Sequence, residues 1–263
     1  MKRENERIKG GVLFEGIISV RTVISAMQSG GLNDRRITRV YVGLSRAEEQ
    51  KKELAWLKMR GVELGFDVET VPESFIDGMA VGSSHGYIVA AATGRTLPSL
   101  DGQALAGRKF LAMLDGIEDP YNFGYALRSL YAAGCDGIVL GERNWMSASG
   151  IVARSSAGAS ELLDVFVSDP YDAATLLKRE GFRIVCADMR QSVSVFDADL
   201  SFPLFLIVGG EKRGISRKVL ETSDLKIRID YGRDFDGSLS AASAATVAAF
   251  EILRFNREKI RQT

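Results

Sequence analysis

From Lys109 onward, short runs of almost unbroken apolar residues alternate with segments of helical spacing: "KFLAMLD", "GIVLG", "FRIVCAD", "LFLIVGG" and "LKIRID". Strands that are apolar along their whole length, and not only at every second residue, are buried on both faces. That is the condition of parallel strands covered by helices. The alternation predicts an α/β domain with a mainly parallel sheet, closed by the Ala-rich helix "LSAASAATVAAFEILRFNREK".

The first hundred residues read as a smaller α/β unit. A helix is expected around Val12 to Met27, a strand at "ITRVYVGL" and a helix from Ser45 to Gly61, followed by strands at "DVETVP" and "YIVAAA". Between the two parts lies "TGRTLPSLDGQALAGR", Thr93 to Arg108, polar and rich in glycine, the best candidate for a linker. The expected domains are therefore 1–100 and 101–263, and the chain is long enough for each to bury a core.

Lys plus Arg and Asp plus Glu both number 34, so any basic surface must come from segregation. Between Met1 and Arg46, nine basic residues face four acidic ones. Cys135 and Cys186 sit in apolar stretches, as reduced core thiols of a cytoplasmic protein do, and no Cys/His cluster suggests a metal. The start, "MKRENERIKG", is too polar for a signal peptide, and no apolar run reaches membrane-spanning length.

In parallel sheets ligands collect beyond the carboxyl ends of the strands. Three loops there are unusual: "LDGIEDPYNFGYALR", "IVGGEKRGIS" and "IDYGRDFDGSLSAAS". Each residue in them has an ordinary role open to it. Asn122 and Ser238 are able to cap helices, Gly209 and Gly210 to turn the chain, and Arg128 to pair with a surface carboxylate. The segment "VGGEKRG" fits neither G-x-G-x-x-G nor G-x-x-x-x-G-K-[ST], which argues against a nucleotide loop.

Taken in order, the three loops resemble the motifs of the SpoU (TrmH-like) branch of the SPOUT methyltransferases. Asn122, Gly124 and Arg128 match the first motif; Gly209, Glu211 and Gly214 match the second; Ile229, Ser238 and Leu239 match the third, where Ser240 stands in place of the family's Asn. "SSAGAS" and "SSHGYIVA" extend the likeness, and the first domain resembles the L30e-like substrate-binding domain of ribosomal-RNA members.

The resemblance implies a C-terminal trefoil-knot domain, a homodimer formed through it, and transfer of a methyl group from S-adenosylmethionine to a ribose 2′-hydroxyl of RNA, rRNA rather than tRNA. It implies Asn122, Arg128, Glu211 and Ser238 at the reacting centre, with Gly209, Gly210, Ile229, Leu239 and Ser240 around the cofactor. An arginine stays protonated near neutral pH, so Arg128 is expected to hold phosphate or the 2′-oxygen and not to serve as the base. His85, the one histidine, is expected in a loop of the first domain, touching RNA or shaping the loop. Ser240 also supports an alternative: a catalytically impaired, ribosome-associated RNA binder.

Overall fold

The computed structural model describes residues 11–141 and 148–261. They form two compact units, divided first at Thr96/Leu97. In the first, β1 (Val12–Glu15) and α1 (Ile17–Ser29) are followed by β2 (Ile37–Gly43), α2 (Leu44–Glu49), α3 (Lys51–Leu64), β3 (Asp67–Val71), α4 (Glu73–Met79) and β4 (Ile88–Ala92). The strands make a sheet in the order β1-β4-β2-β3, antiparallel except for β2 with β3.

Two sequence expectations are corrected in this unit. Residues 12–15 are not helical: they pair with β4, and Gly16, at φ 81°, lets the chain turn from strand into helix. The helix expected over 45–61 is two helices that meet at Gln50, and the second runs past Gly61 to Leu64. Gly61 lies within it because a side chain there would strike the Phe66 carbonyl, and Gly65, at φ 78°, ends it.

The second unit begins with β5 (Phe110–Asp115), α5 (Pro120–Ala132) and β6 (Gly137–Leu140). After β6 the chain makes an excursion through α6 (Ser149–Ser155) and α7 (Ala159–Leu162), which belong to the first unit. It then returns as β7 (Asp164–Val167), α8 (Pro170–Arg179), β8 (Arg183–Ala187), β9 (Val193–Ser194), β10 (Leu204–Gly209), α9 (Arg217–Thr222), β11 (Leu225–Arg228) and α10 (Ala241–Arg261). The seven strands are ordered β7-β6-β5-β10-β8-β11-β9, and every pairing is parallel. β10 enters between β5 and β8, and β11 between β8 and β9, so both late strands are inserted among earlier ones.

The excursion departs from a division at 100/101, and its cause is packing and charge. α6 lies against β1, and α7 against α1. Glu161, buried, receives Arg35 Nε at 2.9 Å and Asn33 Nδ2 at 3.0 Å, so the segment neutralises a buried arginine. The expected linker is also partly structured: Leu100 and Leu105 are buried in the core of the second unit with Leu111, Phe166 and Phe205.

Cys135 and Cys186 are both buried and unpaired with one another. Burial pushes the Cys135 thiol well above its ordinary range and the Cys186 thiol up to about 12, so both remain protonated. Among the described residues, no helix is long and apolar enough to cross a membrane.

Candidate active site

A pocket opens where the loop after β5 meets the loop after β10 and the first turn of α10. Residues 116–119, Asn122, Glu211, Lys212 and Ala241 line it, so residues from the first two motifs and the residue following the third share one wall.

Backbone packing builds that wall. Gly210 N–H donates to the Asp115 carbonyl at 2.6 Å, and a side chain at 210 would come within 2.0 Å of the Gly116 oxygen. At 209 a side chain would meet the Gly214 carbonyl carbon at 2.6 Å. Gly214, at φ 60°, returns its N–H to the Gly210 carbonyl at 2.9 Å. The motif's glycines are thus required by the protein's own backbone, whether or not a ligand also approaches it.

The helix entry answers a second question. Asp119, not Asn122, is the N-cap of α5: its carboxylate accepts the Asn122 N–H at 2.8 Å, and Pro120 occupies the first helical position. The Asn122 carboxamide is left to the pocket wall. On the same lining, Glu211 Oε1 accepts the Ala241 N–H at 3.3 Å, placing a carboxylate at the positive end of α10.

Lys212 and Glu118 form an ion pair from one loop to the other, and this bond holds the Glu118 carboxyl below its usual range. Asp115 behaves in the opposite sense: burial first, then the nearby charge of Asp169, raises its carboxyl. The Glu118–Lys212 pair has no sequence signature. The Asp-Pro cap does, since a capping residue before proline marks a helix start.

The remaining expected residues lie outside this wall. Arg128 is exposed and does not line the pocket. Six residues separate it from Asn122, which turns it about 120° around the helix, so one copy of α5 does not aim both at one point. Ser238 is exposed, Ile229 is half-buried just beyond β11, and Leu239 donates its N–H to the Tyr231 hydroxyl at 3.1 Å. Ser240 caps α10: its hydroxyl accepts the Ser243 N–H at 3.2 Å and lies 3.0 Å from the Ser243 hydroxyl. The helix therefore starts at Ala241, two residues later than a cap at Ser238 would have it.

His85 is buried in its loop. Its Nδ1 accepts the Tyr87 N–H at 3.1 Å, and Nε2 stands 3.4 Å from Asp77. Much of the basic excess at the front is paired with acids of the same unit. Arg35 is buried on Glu161, Arg39 pairs with Asp67 and Glu69, and Arg21 and Arg46 both reach Glu53. Lys2, Arg3, Arg7 and Lys9 lie outside the described residues. Among the described residues no three metal-ligating side chains converge.

Comparison with known proteins gives this geometry its family. A protein of Staphylococcus saprophyticus named for the TrmH family of tRNA/rRNA methyltransferases is 32% identical over 193 residues, covering 71% of this chain and 77% of its own. A 23S rRNA (guanosine-2′-O-)-methyltransferase of Xanthomonas axonopodis is 27% identical over 244 residues, 90% of this chain and 95% of its own. The crystal structure of an AdoMet-bound rRNA methyltransferase from Sinorhizobium meliloti shares the fold, with TM-score 0.73 at 22% identity over 94% of this chain and 88% of that one. The sequence profile of the SpoU rRNA Methylase family matches residues 109–250, more than half of the chain, and the protein belongs to that family.

Proposed function

We propose that this protein transfers a methyl group from S-adenosylmethionine to a ribose 2′-hydroxyl of RNA, and that its substrate is rRNA rather than tRNA. The observation that carries the reading is the convergence of Asn122, Glu211 and the start of α10 on one pocket. Its lining holds Glu118, Asp119 and Glu211 against Lys212, an acidic balance that suits a cationic sulfonium. When bound, the cofactor supplies an electrophilic methyl group.

Asn122 offers both an amide donor and a carbonyl acceptor, and so is suited to orient the ribose hydroxyl. Glu211 fixes the β10 loop to α10 and thereby the cofactor side of the site. The family motifs support assigning Gly209, Gly210, Ile229, Leu239 and Ser240 to the cofactor's surroundings and Ser238 to the reacting centre.

Arg128 completes the site from a second copy of the chain, paired through the second unit. The support is its place on the exposed face of α5, turned away from its own Asn122. As a permanent cation it holds a phosphate or the 2′-oxygen in reactive geometry. The first unit positions the RNA. The two buried, unpaired thiols support placing the enzyme in the cytoplasm, where cysteines stay reduced.

The substrate preference draws support from the family profile, named for rRNA methylases, and from the Xanthomonas relative named for 23S rRNA. Purified protein, labelled S-adenosylmethionine and separate unmodified rRNA and tRNA transcripts test it. Label is expected in rRNA; label in tRNA alone overturns the substrate assignment, and label in neither overturns the activity.

A further inference from the structure

The loop from β11 to α10 carries an aromatic pair that the methyl-transfer site does not use. The rings of Tyr231 and Phe235 stand 5.8 Å apart, inclined at 57°. Phe235 is 62% exposed, with Tyr231 as its aromatic neighbour. A side chain at Gly237 would fall 2.4 Å from its Cζ, so the ring passes directly over that glycine and would swing aside to admit a larger residue. Tyr231 is anchored in turn, since its hydroxyl accepts the Leu239 N–H at 3.1 Å, two residues before the pocket residue Ala241.

An exposed phenylalanine contributes little to the core, and this one lies against Tyr231 in the loop that leads to the pocket residue Ala241. We propose that Phe235, supported by Tyr231, is a stacking platform for a nucleobase of the substrate RNA. Aromatic faces receive unstacked bases irrespective of their identity, and a ribose offered for methylation belongs to a nucleotide drawn out of its helix. The local charge favours a base over the backbone: Asp234 and Asp236 flank Phe235 and repel phosphate, while Arg233 stands two residues before it.

This inference rests on the RNA methyltransferase reading above. Its test uses the full chain with an unmodified 23S rRNA transcript, measuring transcript affinity and S-adenosylmethionine affinity separately. Phe235→Ala is expected to weaken transcript binding about tenfold and leave cofactor affinity unchanged. Phe235→Trp is expected to bind the transcript as the parent does, with indole fluorescence quenched by RNA beyond the background of Trp56 and Trp145.

A Phe235→Ala protein that binds the transcript as tightly as the parent overturns the platform alone. Quenching of Phe235→Trp by S-adenosylmethionine without RNA overturns it too, by assigning the ring to the cofactor. A parent protein that binds no RNA overturns both readings.

Discussion

Glu211 Oε1 accepts the backbone N–H of Ala241 at 3.3 Å, so one carboxylate joins the glycine loop after β10 to the first turn of α10. Both residues line the pocket. Glu211→Ala should weaken S-adenosylmethionine binding at least tenfold while the melting temperature falls by only a few degrees, because Glu211 itself is exposed. Calorimetric titration of the purified variant checks this; unchanged affinity would remove Glu211 from the cofactor side.

Asn122 and Arg128 stand on different faces of α5. Arg128→Ala should abolish methyl transfer and leave cofactor affinity within a few-fold, as expected for a contact made chiefly in the transition state. If the two act across a dimer, mixing and re-equilibrating inactive Asn122→Ala and Arg128→Ala chains should restore about a quarter of the parental activity, since half the dimers are mixed and each has one intact site. No restoration, with dimer exchange verified, would place both residues in one chain's site.

Ser240 departs from the family motif, yet its hydroxyl caps α10, a role that asparagine fills equally well. Ser240→Asn should change the methylation rate by no more than about tenfold, equivalent to about 1.4 kcal/mol. Ser240→Ala should cost about 1 kcal/mol of stability through loss of the cap. Rate assays and denaturant titration read the two effects independently. A parent inactive on every RNA beside an active Ser240→Asn would establish the impaired binder instead.

Arg35 and Glu161 are both buried, with Asn33, Ser149 and the Thr93 carbonyl completing the cluster. Arg35→Ala leaves Glu161 buried without its countercharge and should cost about 3–5 kcal/mol. Arg35→Met combined with Glu161→Met should cost less than the single change. Equilibrium unfolding of the three proteins decides it.

Asp115 sits at the end of β5 with its carboxyl raised from 3.8 by burial and by Asp169. The folded state holds this proton more tightly than the unfolded state, so the group's contribution to stability is greatest at acid pH and is lost as pH rises through the raised value. Asp115→Asn should therefore raise the melting temperature at pH 7 relative to the parent and show little difference near pH 3. A uniform shift at all pH values would mean that the charge is not the cause.

The parallel sheet was legible because its strands are apolar throughout, and the pocket was legible as far as its residues lie in motifs: Asn122 and Glu211 meet there. Position around a helix was not. The spacing of Asn122 and Arg128 looks like one cluster along the chain, but six residues of helix part them. Nor does a local pattern show long-range pairing. "VLFE" continues the apolar run of the next helix and becomes a strand only through β4, and the arginines of the basic front meet acids up to 126 residues away. At glycines 209 and 210 the crowding atoms belong to the protein's own backbone, a demand that no local pattern shows.

The central claim is the reaction itself, and the most direct measurement is the position of the methyl group on RNA. Unmodified 23S rRNA is incubated with the purified protein and S-adenosylmethionine, and ribose 2′-O-methylation is mapped by resistance to alkaline cleavage and by mass spectrometry of the nucleosides. The account predicts a 2′-O-methylated nucleotide at a defined rRNA position, absent with Asn122→Ala and Arg128→Ala. A methyl group on a base, or no methyl group on any RNA from a protein that binds the cofactor, would contradict it.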